Sequence, residues 1–311
     1  MTRPRAVRPT DLVALVSFDG RVYPNEAKTR SRIGKTDAAP HPLERALEQW
    51  FSFATGCHTW ISIRGATLRG LVSARRRGSR SVWELDCVIN AAEDDDSICL
   101  GLLDQALKDA ARARVERVFL RLSSGSSVLP LARRLGFCAY QHETLFSSAV
   151  PRALPHHIDA LPRFRKVTRA DDLALFELYR AACAPEQVRE AEAATFGEWR
   201  AAQDRSWLVG RVSQQLAERD GHVAAWYRSA IDGDCANFEL LIDPSEPSRE
   251  AFFDVALGQI GGRSAMTLVS NSASSLVQGL LRRGFERGPE FASLVMRTAV
   301  TVKAPQLAPA V

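Results

Sequence analysis

Carboxylates, guanidinium groups and hydroxyls carry whatever chemistry this 311-residue sequence can do. Glu84 and Glu239 stand in the alternating strand patterns Trp83-Glu84-Leu85 and Phe238-Glu239-Leu240, on the face opposite the apolar side chains. A strand carboxylate can take a proton from a bound amine, or it can be solvated or ion-paired. Arg75-Arg76-Arg77 with Arg80 puts four guanidinium groups at what reads as a turn between strands. RNA, DNA or an acidic partner could use them, but no aromatic residue is interleaved, so a solvated turn is the favoured reading. Ser124 to Ser127 gathers hydroxyls and amides ahead of a helix, which suits an anion and is equally explained by capping. His156-His157 has no third ligand in reach, and the six cysteines form no C-x-x-C pair, so neither a metal site nor a disulfide framework is expected. No Ser/His/Asp set, phosphate-binding P-loop or dinucleotide fingerprint is present.

The chain that must position these groups is 46% hydrophobic and 25% charged, which excludes disorder as a whole answer and leaves room for two domains. No apolar run reaches 18 residues, and Met1-Thr2-Arg3-Pro4-Arg5 leads into polar sequence, so a soluble cytoplasmic protein without a membrane partner is expected. The net charge of +5 is uneven: residues 1 to 150 carry 22 Lys+Arg against 16 Asp+Glu, and the remainder 19 against 20. Such a balance permits weak nucleic-acid binding without establishing it.

Prolines 151, 155 and 162 mark a linker, and the order of elements on its two sides is the same. Val7-Arg8-Pro9-Thr10-Asp11-Leu12 corresponds to residues 167 to 173: a short strand, a polar cap, then a helix for which Asp11 and Asp171 are expected N-caps. Trp60 to Ile63 and Trp207 to Gly210 open corresponding strand pairs. At a fixed offset of 148 residues, Ser124, Ser126, Ser127, Arg134, Gly136 and Phe137 recur as Ser272, Ser274, Ser275, Arg282, Gly284 and Phe285. Each unit closes with a serine-rich loop, a short helix, a Gly-Phe turn and a strand. Residues 24 to 42 form a polar loop without periodicity, followed by the helix LERALEQWFSF.

LARRLGFCAYQHETLF (131 to 146) and LLRRGFERGPEFASLVM (280 to 296) resemble the closing motif of the GCN5-related N-acetyltransferases, and VRPTDL resembles their opening strand. The resemblance covers nearly the whole chain as a tandem pair. It implies an α+β fold of two domains, each a mixed, mostly antiparallel twisted sheet flanked by helices. Residues 1 to 150 and 163 to 302 are the domains, 151 to 162 the linker and 303 to 311 a loose tail.

The resemblance also implies acetyl-CoA as a co-substrate, held by a Gly-rich loop between the fourth strand and the next helix whose amides approach the diphosphate. Both loops depart from that pattern. Asp94, Ser97 and Cys99 stand at the motif positions of the first half, within the run Glu93 to Asp96; Ser248, Ala251 and Phe253 stand there in the second. Ile242 ends the corresponding second-half strand, and Arg249, one residue off the motif, is the candidate phosphate contact. Glu84 and Glu239 take the place of the family's catalytic base. Ala132 and Leu280 stand where the family has its tyrosine acid, and Tyr140 and Tyr227 read as core or rim aromatics. Gly125 and Ala273 take the asparagine position after the fifth strand, while Asn271 lies two residues earlier and is a further cofactor-binding candidate.

Three functions are consistent with this reading. The leading one is a tandem pair with degenerate loops that requires no cofactor and binds a ligand or protein partner. The second is an N-acyltransferase moving an acetyl group from acetyl-CoA to an unidentified amine, chiefly through Glu239 and the second half. The third is a transferase using another acyl donor, such as an aminoacyl-tRNA.

Overall fold

The computed structural model describes residues 4–11, 14–15, 23–30, 33, 56–65, 67–92, 95–152, 154, 162–183, 186–202 and 211–298. Trp207 to Gly210, the 43 to 53 helix, His156-His157 and the 303 to 311 tail lie outside these residues. Runs such as Leu68 to Ala74 and Val82 to Ile89 combine β-branched and apolar residues and form strands buried between the layers. In chain order the first half contains β1 (Arg5–Ala6), β2 (His58–Arg64), β3 (Thr67–Arg77), β4 (Ser79–Asn90), helix α1 (Asp96–Arg112), β5 (Arg117–Ser123), α2 (Val128–Arg134) and β6 (Cys138–Ser148). The second half contains β7 (Arg165–Lys166), helices α3 (Asp172–Ala182), α4 (Glu186–Glu192) and α5 (Phe196–Ala202), then β8 (Arg211–Arg219), β9 (His222–Asp232) and β10 (Cys235–Ile242). It ends with α6 (Arg249–Gly258), β11 (Ser264–Ser270), α7 (Ser274–Arg282) and β12 (Glu286–Arg297).

The twelve strands of the described residues join one sheet, in the order β1-β2-β3-β4-β5-β12-β6-β11-β10-β9-β8-β7. The order is palindromic under the internal repeat, and it contains an exchange. The last strand of each half pairs with the fifth strand of the other: β12 runs antiparallel to β5, and β6 antiparallel to β11. The two exchanged strands also pair with each other, with Glu143 opposite Phe291, residues that the 148-residue offset makes equivalent. The cores follow the exchange. Ala292 and Leu294 of β12 belong to the first-half cluster with Leu85, Leu102 and Leu120; Phe146 of β6 belongs to the second-half cluster with Phe238, Phe253 and Phe285.

The Gly-Phe turns behave as the repeat predicts. Gly136 (φ 93°) and Gly284 (φ 80°) take the left-handed conformation that ends a helix without a Cβ clash, and Phe137 and Phe285 return to the core. Asp11 and Asp171 act differently from the expected N-caps. Each accepts the amide three residues upstream, Arg8 N at 2.8 Å and Thr168 N at 2.7 Å, and each is held by a bidentate arginine, Arg5 or Arg165. They close the entry turn, because the chain makes a 3-10 turn there before its helix begins. Arg75 to Arg77 are not a turn either: β3 continues through Arg77, and Gly78 (φ 67°) turns the chain. Strand alternation exposes Arg76 and aims Arg75 and Arg77 at the opposite face.

Candidate functional site

Among the described residues the sheet of each half has one parallel junction, and it opens there. β4 and β5 pair over Val82 to Leu85 against Arg117 to Leu120 and then separate; β10 and β11 pair over Cys235 to Asn237 against Ser264 to Met266 and then separate. The two gaps are filled differently. In the first half, Asn25 to Lys28 lies between the strands. Glu26 N donates to Val88 O at 2.9 Å, Lys28 N donates to Arg121 O at 2.8 Å, and Ala27 bridges Leu122. The buried Asn25 amide completes this strap: Nδ2 donates to Asp86 O at 3.0 Å, while Oδ1 accepts Val88 N at 2.9 Å and Ala27 N at 3.0 Å. In the second half, Leu240, Leu241 and Thr267 to Ser270, on the two sides of the gap, line a cavity of about 650 Å³.

That cavity, called the chamber below, lies where the two halves meet. Its polar wall is built from guanidinium and carboxylate pairs. Arg75 Nη2 donates to Glu84 at 2.8 Å. Arg121 Nε donates to Glu143 at 2.8 Å, and Ser293 Oγ completes a buried triad with them. Arg30, two residues beyond the strap, crosses from the first half to bind both Glu143 and Glu239. Tyr140 Oη donates to Glu192 at 3.0 Å, with Arg77 nearby at 3.8 Å. An apolar part of the lining is formed by Leu175 of α3, Trp199 of α5, Trp226 of β9 and Leu241 of β10, which pack in one cluster.

These pairings fix the protonation states. Burial alone would raise the Glu143 carboxyl, but the charges of Arg121 and Arg30 and the Ser293 hydrogen bond hold it down at about 2. Glu84 shows the same balance: burial opposes ionisation, and Arg75, Arg77 and Arg121 overcome it, leaving the carboxyl below its usual range. A carboxylate held this firmly ionised is a weaker proton acceptor. Burial, joined by the charge of Glu192, raises the Tyr140 phenol well above its ordinary value, so it remains a hydrogen-bond donor.

The loops where the resemblance places a diphosphate carry carboxylates of their own. Before α6, Asp243 Oδ1 accepts Ser245 N at 2.8 Å, and the buried Glu246 carboxylate accepts Ser248 N at 2.9 Å together with Arg219. Before α1, the Asp95 carboxylate caps Ser97 N at 3.1 Å. The chain's own carboxylates thus occupy one amide at the start of α1 and two in the loop before α6, and their charge would repel a phosphate.

Of the five residues singled out from the sequence, the structure brings two together: Glu84 and Glu239 line the same chamber, each with an arginine as its cross-strand partner, Arg75 and Arg228. The other three lie elsewhere. Ile242 packs beside Phe252 and Phe164, Arg249 folds back onto the Pro244 carbonyl, and Asn271 ties the β11–α7 loop to β6, its Oδ1 accepting from Thr144 Oγ1 at 2.7 Å and its backbone N–H donating to His142 O at 2.8 Å. Phe253, at a glycine position of the motif, is a core residue stacked under Arg283, and Asp94 lies outside the described residues. Ala132 and Leu280 are fully buried, Tyr227 is a core residue, and Tyr140 packs edge-on against Phe119. Sequence reasoning missed Arg30, Arg121 and Glu143. Only Glu143 carried a signal: it is the charged counterpart of Phe291 in an otherwise apolar repeat position. Among the described residues no cluster of His, Cys, Asp or Glu could hold a metal, and no helix is long and apolar enough to cross a membrane.

Several solved structures share this architecture. A GCN5-related N-acetyltransferase from Sphaerobacter thermophilus aligns over 97% of each chain at 14% identity, with a TM-score of 0.54. A tandem GNAT protein from the clavulanic acid biosynthesis pathway aligns over 97% of this chain and 99% of its own, at 14% identity and a TM-score of 0.52. A GCN5-related N-acetyltransferase from Anabaena variabilis aligns over 89% of this chain and 73% of its own, at 12% identity and a TM-score of 0.50. No protein-family model matches the sequence, and a search of curated proteins finds no match. The fold is therefore that of the GCN5-related N-acetyltransferases, in its tandem form.

Proposed function

We propose that the protein binds a small molecule in the chamber between its halves and that neither half holds CoA by the diphosphate loop of the fold. The observation that carries this reading is the contrast between the two gaps: the first is filled by the chain's own backbone, while the second opens into the chamber. The carboxylate-capped loops before α1 and α6 support it. The first half then serves as a frame that supplies Arg30 and the Glu84 and Glu143 pairs to one shared site. Calorimetric titration with CoA and with acetyl-CoA tests it. No heat is expected up to millimolar ligand; micromolar binding, about −8 kcal/mol, would overturn the reading.

The open second gap also favours a second reading, an N-acyltransferase working through the second half with Glu239 as base. For that, Glu239 would have to exchange Arg30 for the acceptor amine. Replacing Glu239 by Gln separates the two: loss of acetyl transfer would support the enzyme, and unchanged physiological activity the binding protein.

A further inference from the structure

The chamber's charges are unevenly committed. Among the described residues, seven basic and five acidic side chains line it. Each of these five carboxylates has a guanidinium: Arg75, Arg121, Arg30 and Arg77 account for Glu84, Glu143, Glu239 and Glu192, and Arg200, outside the lining, reaches Asp172 at 3.5 Å. Lys166, at the end of β7, and Arg169, in the turn after it, line the chamber yet are solvent-exposed, which places both at its opening. Neither makes an ion pair among the described residues. Among the described residues, a molecule entering therefore meets two cations without an ion-pair partner first, and inside finds no carboxylate that lacks a counter-ion.

Charge of one sign around a concave, partly dry opening draws in the opposite sign and rejects its own. The rest of the lining sets the body of the ligand. Trp199, Trp226, Leu175 and Leu241 form a half-buried apolar wall large enough for an aromatic or branched aliphatic group. On that basis we infer that the chamber takes a carboxylate with an apolar body, its anionic end at Lys166 and Arg169 and its apolar end against Trp199 and Trp226. A free amine is disfavoured by the same lining, because each carboxylate it could bind already holds an arginine.

This inference rests on the chamber being the ligand site, and one set of titrations separates the two claims. The full-length protein is titrated calorimetrically with 4-phenylbutyrate, 4-phenylbutyramide and 4-phenylbutylamine at fixed ionic strength. The carboxylate is expected to bind ~10-fold more tightly than the amide, as fits contacts with two exposed cations worth up to about 1 kcal/mol each, and the amine more weakly than either. In the double variant Lys166→Gln/Arg169→Gln, whose two positions are exposed and whose melting temperature is expected to match the parent, the carboxylate preference should fall to below ~3-fold, because both ion-pairing cations are gone. Equal binding of carboxylate and amide, tighter binding of the amine, or an undiminished preference in the double variant would overturn the charge assignment while leaving the chamber as a ligand site. Three flat titrations would overturn both.

Discussion

The two halves run the same sequence of elements, and the gap beside the fourth strand shows how far they have parted. In the first half the separated edges of β4 and β5 are satisfied by a strap of the chain itself, through two backbone hydrogen bonds and two more made by the Asn25 side chain. In the second, the corresponding edges face the chamber. A gap between parallel strands is a recess whose backbone groups need partners, and the two solutions give the halves different duties. The filled gap makes a rigid frame; the open one keeps room for a ligand. Glu143 and Phe291 make the same point at the centre of the sheet. They occupy equivalent, facing positions, one as the hub of a buried charge network and the other as a core side chain.

The largest expected effect comes from breaking that hub. Glu143→Ala leaves Arg121 buried without its carboxylate and should cost about 3–5 kcal/mol in denaturant titration. Phe291→Ala should cost a similar ~3–5 kcal/mol through its cavity, but without pH dependence. The pH test sharpens this contrast. Because the Glu143 carboxyl is held near 2 in the folded protein against an ordinary 4.5, its contribution is fully present above about pH 4.5. It is lost as pH falls through about 2 and is worth ~3 kcal/mol by linkage. Acid unfolding of the parent should therefore be steeper between pH 4.5 and 2 than that of Glu143→Gln.

The next effect concerns the strap. Asn25→Ala strands Asp86 O and Val88 N in a buried setting and should destabilise the protein by about 2–4 kcal/mol. A loss under ~0.5 kcal/mol would mean that the first gap is not held shut by this residue. Arg30→Met carries the comparison across to the open gap. It removes the guanidinium shared by Glu143 and Glu239, so 4-phenylbutylamine should gain binding relative to 4-phenylbutyrate by about 10-fold or more, read calorimetrically. An unchanged order would show that the strap's arginine plays no part in selecting the ligand. The smallest effect is expected at Arg249→Ala, which loses one contact to the Pro244 carbonyl and should change stability by less than ~0.5 kcal/mol and ligand binding not at all.

Repetition made the fold legible, and local pairing hid most of the site. The serine loops and Gly-Phe turns are encoded within a few residues, so the 148-residue offset exposes them directly. Glu84 and Glu239 were also legible, because strand alternation alone separates them from the core face. The chamber's other groups come together from distant places: Arg30 from a polar loop without periodicity, Arg121 from β5 and Glu143 from β6. Arg75 and Arg77 illustrate the misreading most clearly. Four nearby arginines resemble a solvated turn, yet β3 continues through Arg77 before the chain turns at Gly78, and it sends Arg75 and Arg77 into the chamber. The strand exchange was invisible for a different reason: the repeat has the same spacing whether its last strands stay at home or change places.

That exchange sets an order in time. As the chain is made, β5 emerges long before the strand that will cover it, because β12 begins 163 residues after the last residue of β5, Ser123. Until then the first half carries an open hydrogen-bonding edge and a core missing Ala292 and Leu294. The protein can complete neither half by itself, so its folding closes in one late step that locks both together, and the slow non-local pairing of β12 is the step on which aggregation and folding compete.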